Sequence, residues 1–208
     1  MGRERRLSIN PVVDAALHEP GDASRVALLR LRRQVGTTAL AERVRRRAAV
    51  LGHRMRKAAR AIHGRRDELI EAIYAAATPP GCCSAWSDGS TRRDDHAGLG
   101  GIVLDRDGHR IASIQRTLEP MTPLATEIAA LEAVLRVAHD HGVERLRLHT
   151  DCRALVELWR SAGEPALVRA RALAQGFRKF ELRVVPRLHN QPANMLARGR
   201  DGPGLGGI

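Results

Sequence analysis

Thr78-Pro79-Pro80-Gly81 divides this chain more sharply than any other stretch. Proline inside a helix lacks the N–H its turn needs and clashes with the carbonyl four residues back. It also pushes the preceding residue out of the helical region. Two prolines followed by a glycine therefore end whatever comes before them. The two sides differ in kind. Residues 1–78 hold 17 Arg/Lys against 8 Asp/Glu, a balance of +9, whereas residues 79–208 hold 18 against 15, a balance of +3. The chain reads as a basic region, 1–78, followed by a second domain, 82–200. The Gly-rich stretch 201–208 is expected to be a disordered tail.

The basic region has helical periodicity. Asp22-Ala-Ser24 opens a helix whose apolar residues Val26, Leu28, Leu29 and Leu31 alternate with Arg30, Arg32 and Arg33 until Gly36. Thr38 and Glu42 start a second, with Leu40, Val44, Val50, Leu51 and Met55 as a loose stripe running to about His63. Asp67–Ala77 forms a third, giving a small helical hairpin or bundle. Like charge at this density needs a counter-charge. Arg45, Arg46, Arg47, Arg54, Arg56, Lys57 and Arg60 are therefore candidate nucleic-acid contacts. The competing role is a solvated basic face on a dimerisation or docking module.

Composition narrows the class. A net charge of +12 with a pI near 11.3 favours a polyanionic partner, nucleic acid before membrane. Cys82, Cys83 and Cys152 lack the paired spacing of a zinc site, and their sparse, odd number suits a reducing cytoplasm. No run approaches the roughly 18 apolar residues of a membrane span, so a soluble cytoplasmic protein is expected.

Beyond the boundary the element order is legible. Strands are expected at Cys83–Ser90, at Ile102–Leu104 and at His109 to about Thr117, the last two joined by Asp107-Gly108 as a two-residue hairpin. Thr122-Pro123 starts a helix that Gly142 closes. A strand at Leu146–Thr150, helices at Cys152–Ser161 and Pro165–Gln175, a strand at Phe180–Val184 and a helix from Asn190 complete the chain. This β-β-β-α-β-α-α-β-α order predicts an α/β fold, a mixed five-stranded sheet flanked by helices.

Three carboxylates stand where carboxylates are costly. Asp88 lies inside the first strand with Gly89 directly after it, and burying an unpaired charge is expensive. Glu127 borders the apolar stripe of the first helix of this domain, and Asp151 ends the fourth strand as a helix begins. Singly, Asp88 reads as a strand-end turn residue, Glu127 as a solvent-edge Glu and Asp151 as a helix N-cap. Together, in this order, they form a set of hard oxygen ligands suited to Mg²⁺ or Mn²⁺.

Residues 84 to about 200 resemble the ribonuclease H type 1 family. The resemblance is carried by Ser87-Asp88-Gly89-Ser90, Ala97–Leu104, Ala125-Thr126-Glu127-Ile128-Ala129-Ala130-Leu131, Leu148-His149-Thr150-Asp151, and Val185-Pro186-Arg187 through Asn190 and Asn194 to Arg198. It implies hydrolysis of the RNA strand of RNA–DNA hybrids with two divalent ions. Asp88 would bridge both, Glu127 and Asp151 would hold the ion on the leaving-group side, and the fourth ligand position falls on Asn194. Gly89, Ser90 and Asn190 are the implied substrate-binding residues. The 2′-hydroxyls that distinguish RNA from DNA would be read near Gly89, Ser90 and Glu127.

This sequence departs from the family at that fourth position, where an Asp is usual and Asn194 brings no charge. Weaker binding of one ion, with slower or more Mn²⁺-dependent activity, is the consequence expected; a binding protein that has lost the chemistry is the alternative. A different metal-dependent nuclease on the same fold is the third reading. The chain also lacks a long basic insertion between its two middle helices and the aromatic hybrid-binding module of some relatives, so region 1–78 is expected to supply the hold on substrate. His189 reads as a surface-loop residue, although some relatives place a proton-shuttling His nearby.

Overall fold

The computed structural model describes residues 9–19, 21–91 and 96–199. The expected tail, 201–208, lies outside the described residues. The chain forms two compact units that divide between Ala77 and Thr78.

The first unit is helical: α1 (Ile9–His18), α2 (Asp22–Val35), α3 (Thr37–Arg54) and, after a single 3-10 turn at Arg56–Ala58, α4 (Ala59–Ala75). Its core is aliphatic, with Val13, Leu17, Leu28, Leu31, Leu40, Val44, Ile62, Ile70 and Ile73 fully or almost fully buried. Two expectations are corrected here. Helix α1 was not anticipated, although Val13, Ala16 and Leu17 have the i, i+3, i+4 spacing of a buried face and Pro11 sits in its first turn. The helix expected to run to about His63 ends at Arg54, and the next begins at Ala59 rather than Asp67.

No proline marks that break; tertiary packing sets it. A Cβ on Gly52 would lie 2.9 Å from His63 Nε2, so α4 folds back against α3 at a residue without a side chain. Helix α1 is tied to the others by polar contacts. Arg47 of α3 forms an ion pair with Asp14, and Arg65 of α4 donates to the carbonyls of Leu17, at 2.7 Å, and His18, at 2.5 Å. The last contact satisfies carbonyls that a helix C-terminus leaves without intrahelical partners.

The second unit carries a five-stranded sheet in the order β3-β2-β1-β4-β5. Its strands are β1 (Cys83–Thr91), β2 (Ala97–Leu104), β3 (Arg110–Leu118), β4 (Arg145–Thr150) and β5 (Lys179–Val184). The first three pair antiparallel, while β1–β4 and β4–β5 pair parallel. Helix α5 (Pro123–Asp140) joins β3 to β4, α6 (Arg153–Arg160) and α7 (Val168–Gln175) join β4 to β5, and α8 (Gln191–Ala197) closes the described chain. The Thr122 hydroxyl accepts from Ala125 N at 3.3 Å, capping α5 as the sequence indicates.

The β2–β3 connection is longer than the two-residue hairpin expected. Asp105 N donates to His109 O at 2.8 Å, leaving three residues between the bonded pair, with Gly108 at φ 84°. Such three-residue loops place their last residue in the left-handed region, where glycine is strain-free. Asp105 Oδ1 accepts from the backbone N–H of Asp107 and of His109.

Every residue of β2 is buried, because helices cover both faces of the sheet there. Leu99 and Val103 face the cluster formed with Leu131, Val134 and Leu135 of α5, each such buried side chain contributing roughly 1.5–3 kcal/mol. On the opposite face, a Cβ on Gly98 or Gly100 would overlap the backbone of Ala197 or Ala193. Helix α8 therefore lies directly on the backbone of β2, and that approach builds the site.

Candidate active site

Asp88 sits in β1, opposite Gly100 of β2 and 2% exposed. Residues directly opposite on antiparallel strands project to one face, so Asp88 points toward the helix that Gly100 admits. Asn194 of α8 donates its side-chain amide to Asp88 Oδ2 at 3.0 Å. Asn190, immediately before α8, places Nδ2 2.6 Å from Asp151 Oδ1, 3.0 Å from Ser87 O and 3.4 Å from Asp88 Oδ1. One buried amide thus joins the carboxylate in β1 to the carboxylate following β4.

Glu127 reaches the site from α5. Gly89 N donates to Glu127 Oε2 at 3.1 Å, and a Cβ on Gly89 would come within 2.6 Å of Glu127 N. Only glycine lets the first turns of α5 come this near to β1. Beneath the carboxylates lies an apolar floor. Trp86, fully buried, packs on His149 of the neighbouring strand at 4.8 Å between ring centroids. His149 Nδ1 donates to Ala85 O at 3.2 Å, and burial pushes its pKa down to about 3. The floor is therefore neutral at physiological pH and sets no competing cation under the site.

The electrostatics show what this cluster lacks. Burial, then repulsion from Glu127 and Asp151, raises the Asp88 carboxyl to about 8. Burial and the Asp151 charge raise Glu127 to about 7, opposed by the Gly89 N–H and by Arg187. Asn190 Oδ1 is buried with no hydrogen-bond partner among the described residues. Clustered carboxylates that resist ionisation, with a neutral amide alongside, fit a cation; oxygen donors of this hardness fit a divalent one.

The expected site residues divide into three groups. Asp88, Glu127, Asp151 and Asn194 come together, with Gly89 and Ser90 half-buried at the end of β1 beside them. Asn190, expected to contact substrate, is instead fully buried, with its amide directed at the carboxylates; its place is behind them. His189, expected at the surface, is 1% exposed. Arg187 was not singled out as a site residue, although the Val185-Pro186-Arg187 piece lay in view. It is exposed, and its charge favours ionisation of both Asp88 and Glu127.

The basic candidates belong to the first unit. Arg45 and Arg46 both pair with Glu42 at 2.7 Å, and the Arg45 guanidinium helps hold that carboxyl down at about 2. Arg47 is engaged by Asp14. Arg54, Arg56, Lys57 and Arg60 are exposed at the corner between α3 and α4. Elsewhere, Asp105, Asp107 and His109 bring donor atoms within 4.8 Å of one another in the β2–β3 turn, whose own hydrogen bonds account for that grouping.

Comparison with known proteins places this geometry. Residues 87–199, more than half of the chain, match the reverse transcriptase-like family. A ribonuclease HI of Halobacterium salinarum is 32% identical over 122 residues, which are 54% of this chain and 61% of the relative's length. A crystal structure of ribonuclease H1 from the same organism superposes with a TM-score of 0.52 at 30% identity, covering 57% of this chain and 96% of that one. The N-terminal ribonuclease H domain of a Mycobacterium tuberculosis protein superposes with a TM-score of 0.53 at 28% identity, covering 56% of this chain and 91% of that one.

Proposed function

This chain belongs to the reverse transcriptase-like family, with a domain of ribonuclease H type, and from that premise we propose that it is a metal-dependent endoribonuclease hydrolysing the RNA strand of RNA–DNA hybrids. One observation carries the reading: carboxylates from three separate elements are gathered here, Asp88 and Asp151 sharing the buried Asn190 amide and Glu127 held beside them by the Gly89 N–H, with ionisation of Asp88 and Glu127 disfavoured. Structural carboxylates are ordinarily paired with a guanidinium or ammonium; among the described residues no such group hydrogen-bonds to these.

Asp88, Glu127, Asp151 and Asn194 are the residues that would hold the ions. Two divalent cations, Mg²⁺ or Mn²⁺, would supply the charge that stabilises the attacking and departing oxygens of an in-line displacement and makes water a competent nucleophile near neutral pH. The protein's own part is positional. Asn190 fixes the mutual orientation of Asp88 and Asp151, and the Gly89 N–H orients Glu127. Asn194 keeps its NH₂ on Asp88 and leaves its carbonyl oxygen as the ligand atom. Gly89 and Ser90, half-buried at the end of β1 beside the carboxylates, would read the 2′-hydroxyl of an RNA strand.

The test is cleavage of an end-labelled RNA–DNA hybrid with Mg²⁺ or Mn²⁺, with double-stranded DNA and double-stranded RNA as controls. Hybrid-specific cutting that disappears in Asp88→Asn is the expected result. Hybrid binding without cutting, in either metal, would replace the proposal with a nucleic-acid-binding protein on this fold.

A further inference from the structure

Between Glu42 and Asp67 the chain runs for 24 residues, 43–66, with ten Arg/Lys and no Asp or Glu. The fold then sorts these cations. Glu42 takes Arg45 and Arg46, Asp14 takes Arg47, Asp67 takes Arg66, and the end of α1 takes Arg65. Of the other five, Arg43 is exposed in the first half of α3, apart from the rest, while Arg54, Arg56, Lys57 and Arg60 make no ion pair among the described residues, and all four are exposed. They fall on seven consecutive positions where α3 turns into α4, around a depression of about 430 Å³ lined by His53 through Ala58. The Gly52–His63 packing beneath fixes the turn.

We infer that this α3–α4 corner is a docking site for the phosphate backbone of a nucleic-acid duplex, an inference that deepens the proposed action on RNA–DNA hybrids and rests on it. Uncompensated like charge held together on a folded surface is stabilised by a polyanion that releases counterions as it binds. The residue types specify the mode. Residues 43–66 contain no Phe, Trp or Tyr, so the corner offers no platform for unstacked bases. Contacts limited to phosphates position a duplex without reading its sequence. A lipid surface also presents phosphate, but an interfacial helix needs an apolar face to insert, and Met55, 41% exposed, is the one large exposed apolar side chain lining the depression. A protein partner would lean on aromatic anchors that are equally missing here.

The experiment measures binding of the full chain to a labelled hybrid and to a DNA duplex of the same sequence, in EDTA, across a salt series. The variant carries R54Q, R56Q, K57Q and R60Q. A charge-matched control carries R30Q, R33Q, R160Q and R169Q, four other exposed arginines. Circular dichroism and thermal melting establish that both are folded. The expected result is a Kd at least tenfold weaker for the corner variant on both duplexes, with the slope of log K against log salt shallower by about three. The control should stay within about twofold of wild type.

Equal losses in the two variants would assign binding to net charge and overturn the corner. So would unchanged binding by the corner variant, undetectable duplex binding by wild type, or retention on phosphatidylserine vesicles in its place. Cleavage of the same hybrid by wild type with Mg²⁺, run in parallel, separates the two readings. A protein that docks through the corner without cutting keeps the corner and loses the proposed activity; one that cuts while the corner variant binds normally does the reverse.

Discussion

Asn194 donates its side-chain amide to Asp88 Oδ2 at 3.0 Å, so the group beside the most deeply buried carboxylate of the site is a donor and not another anion. This relieves part of the repulsion that Asp88 meets from Glu127 and Asp151, at the expense of charge that a cation would use. The substitution Asn194→Asp should therefore act in opposite directions on stability and on function. Without divalent ions the variant should melt below wild type, because a fourth carboxylate enters a crowded cluster. With Mg²⁺ it should reach half-maximal cleavage at a lower ion concentration and cut faster. Melting in EDTA and a metal titration of cleavage check the two halves independently.

The raised carboxyl of Asp88 gives a pH prediction. Its pKa is about 8 in the folded protein against an ordinary 3.8, so between those values the folded state binds a proton that the unfolded state does not. Stability contributed by this group is present in full below about pH 4 and is lost as pH rises through 8. Asn cannot ionise. Asp88→Asn should accordingly melt near wild type at pH 4 and increasingly above it toward pH 8 in EDTA, and Mg²⁺ should narrow the gap at high pH by stabilising wild type alone. A gap independent of pH would show that Asp88 is not protonated in the metal-free protein.

Gly100 seats α8 against β2, and no flexible side chain is available to yield. Gly100→Ala should lower stability by about 1–3 kcal/mol, the range of overpacked cores, and displace Asn190 and Asn194 from the carboxylates. Urea denaturation measures the first effect. A fall in kcat larger than the rise in KM, at protein concentrations where the variant is fully folded, measures the second.

Asn190 acts through the carboxylates it joins. Asn190→Ala leaves Asp88 and Asp151 without their shared donor, and losing the partner of a buried polar group costs about 1–3 kcal/mol. Cleavage should fall mainly in kcat, with a higher Mg²⁺ requirement, and Asn190→Gln should not restore it because the longer side chain cannot occupy the same buried position. A rise confined to KM would return Asn190 to the substrate-binding role that the family resemblance implies.

Much of this was legible in the linear chain. The Pro79-Pro80-Gly81 break, the strand and helix order of the second unit and the three carboxylates are local or periodic signals. They follow from backbone chemistry, from the two- and 3.6-residue repeats and from the cost of burying charge. That Asn194 stands where the family resemblance implies a fourth ligand could be read from motif position alone. Tertiary structure decided what depends on pairs of residues distant in sequence. Asp14, 33 residues before Arg47, and the end of α1, 48 residues before Arg65, each remove an arginine from a run that looked uniformly available, and the cations left exposed are concentrated at a corner. Gly52 against His63 ends a helix that propensity would have continued, and Gly100 beneath α8 turns Asn190 from an outward residue into the buried link between two strands. Sequence determined which groups this protein carries and in what order. Packing determined which of them remain free to act, because a charge or an amide is defined by its neighbours, and folding selects those.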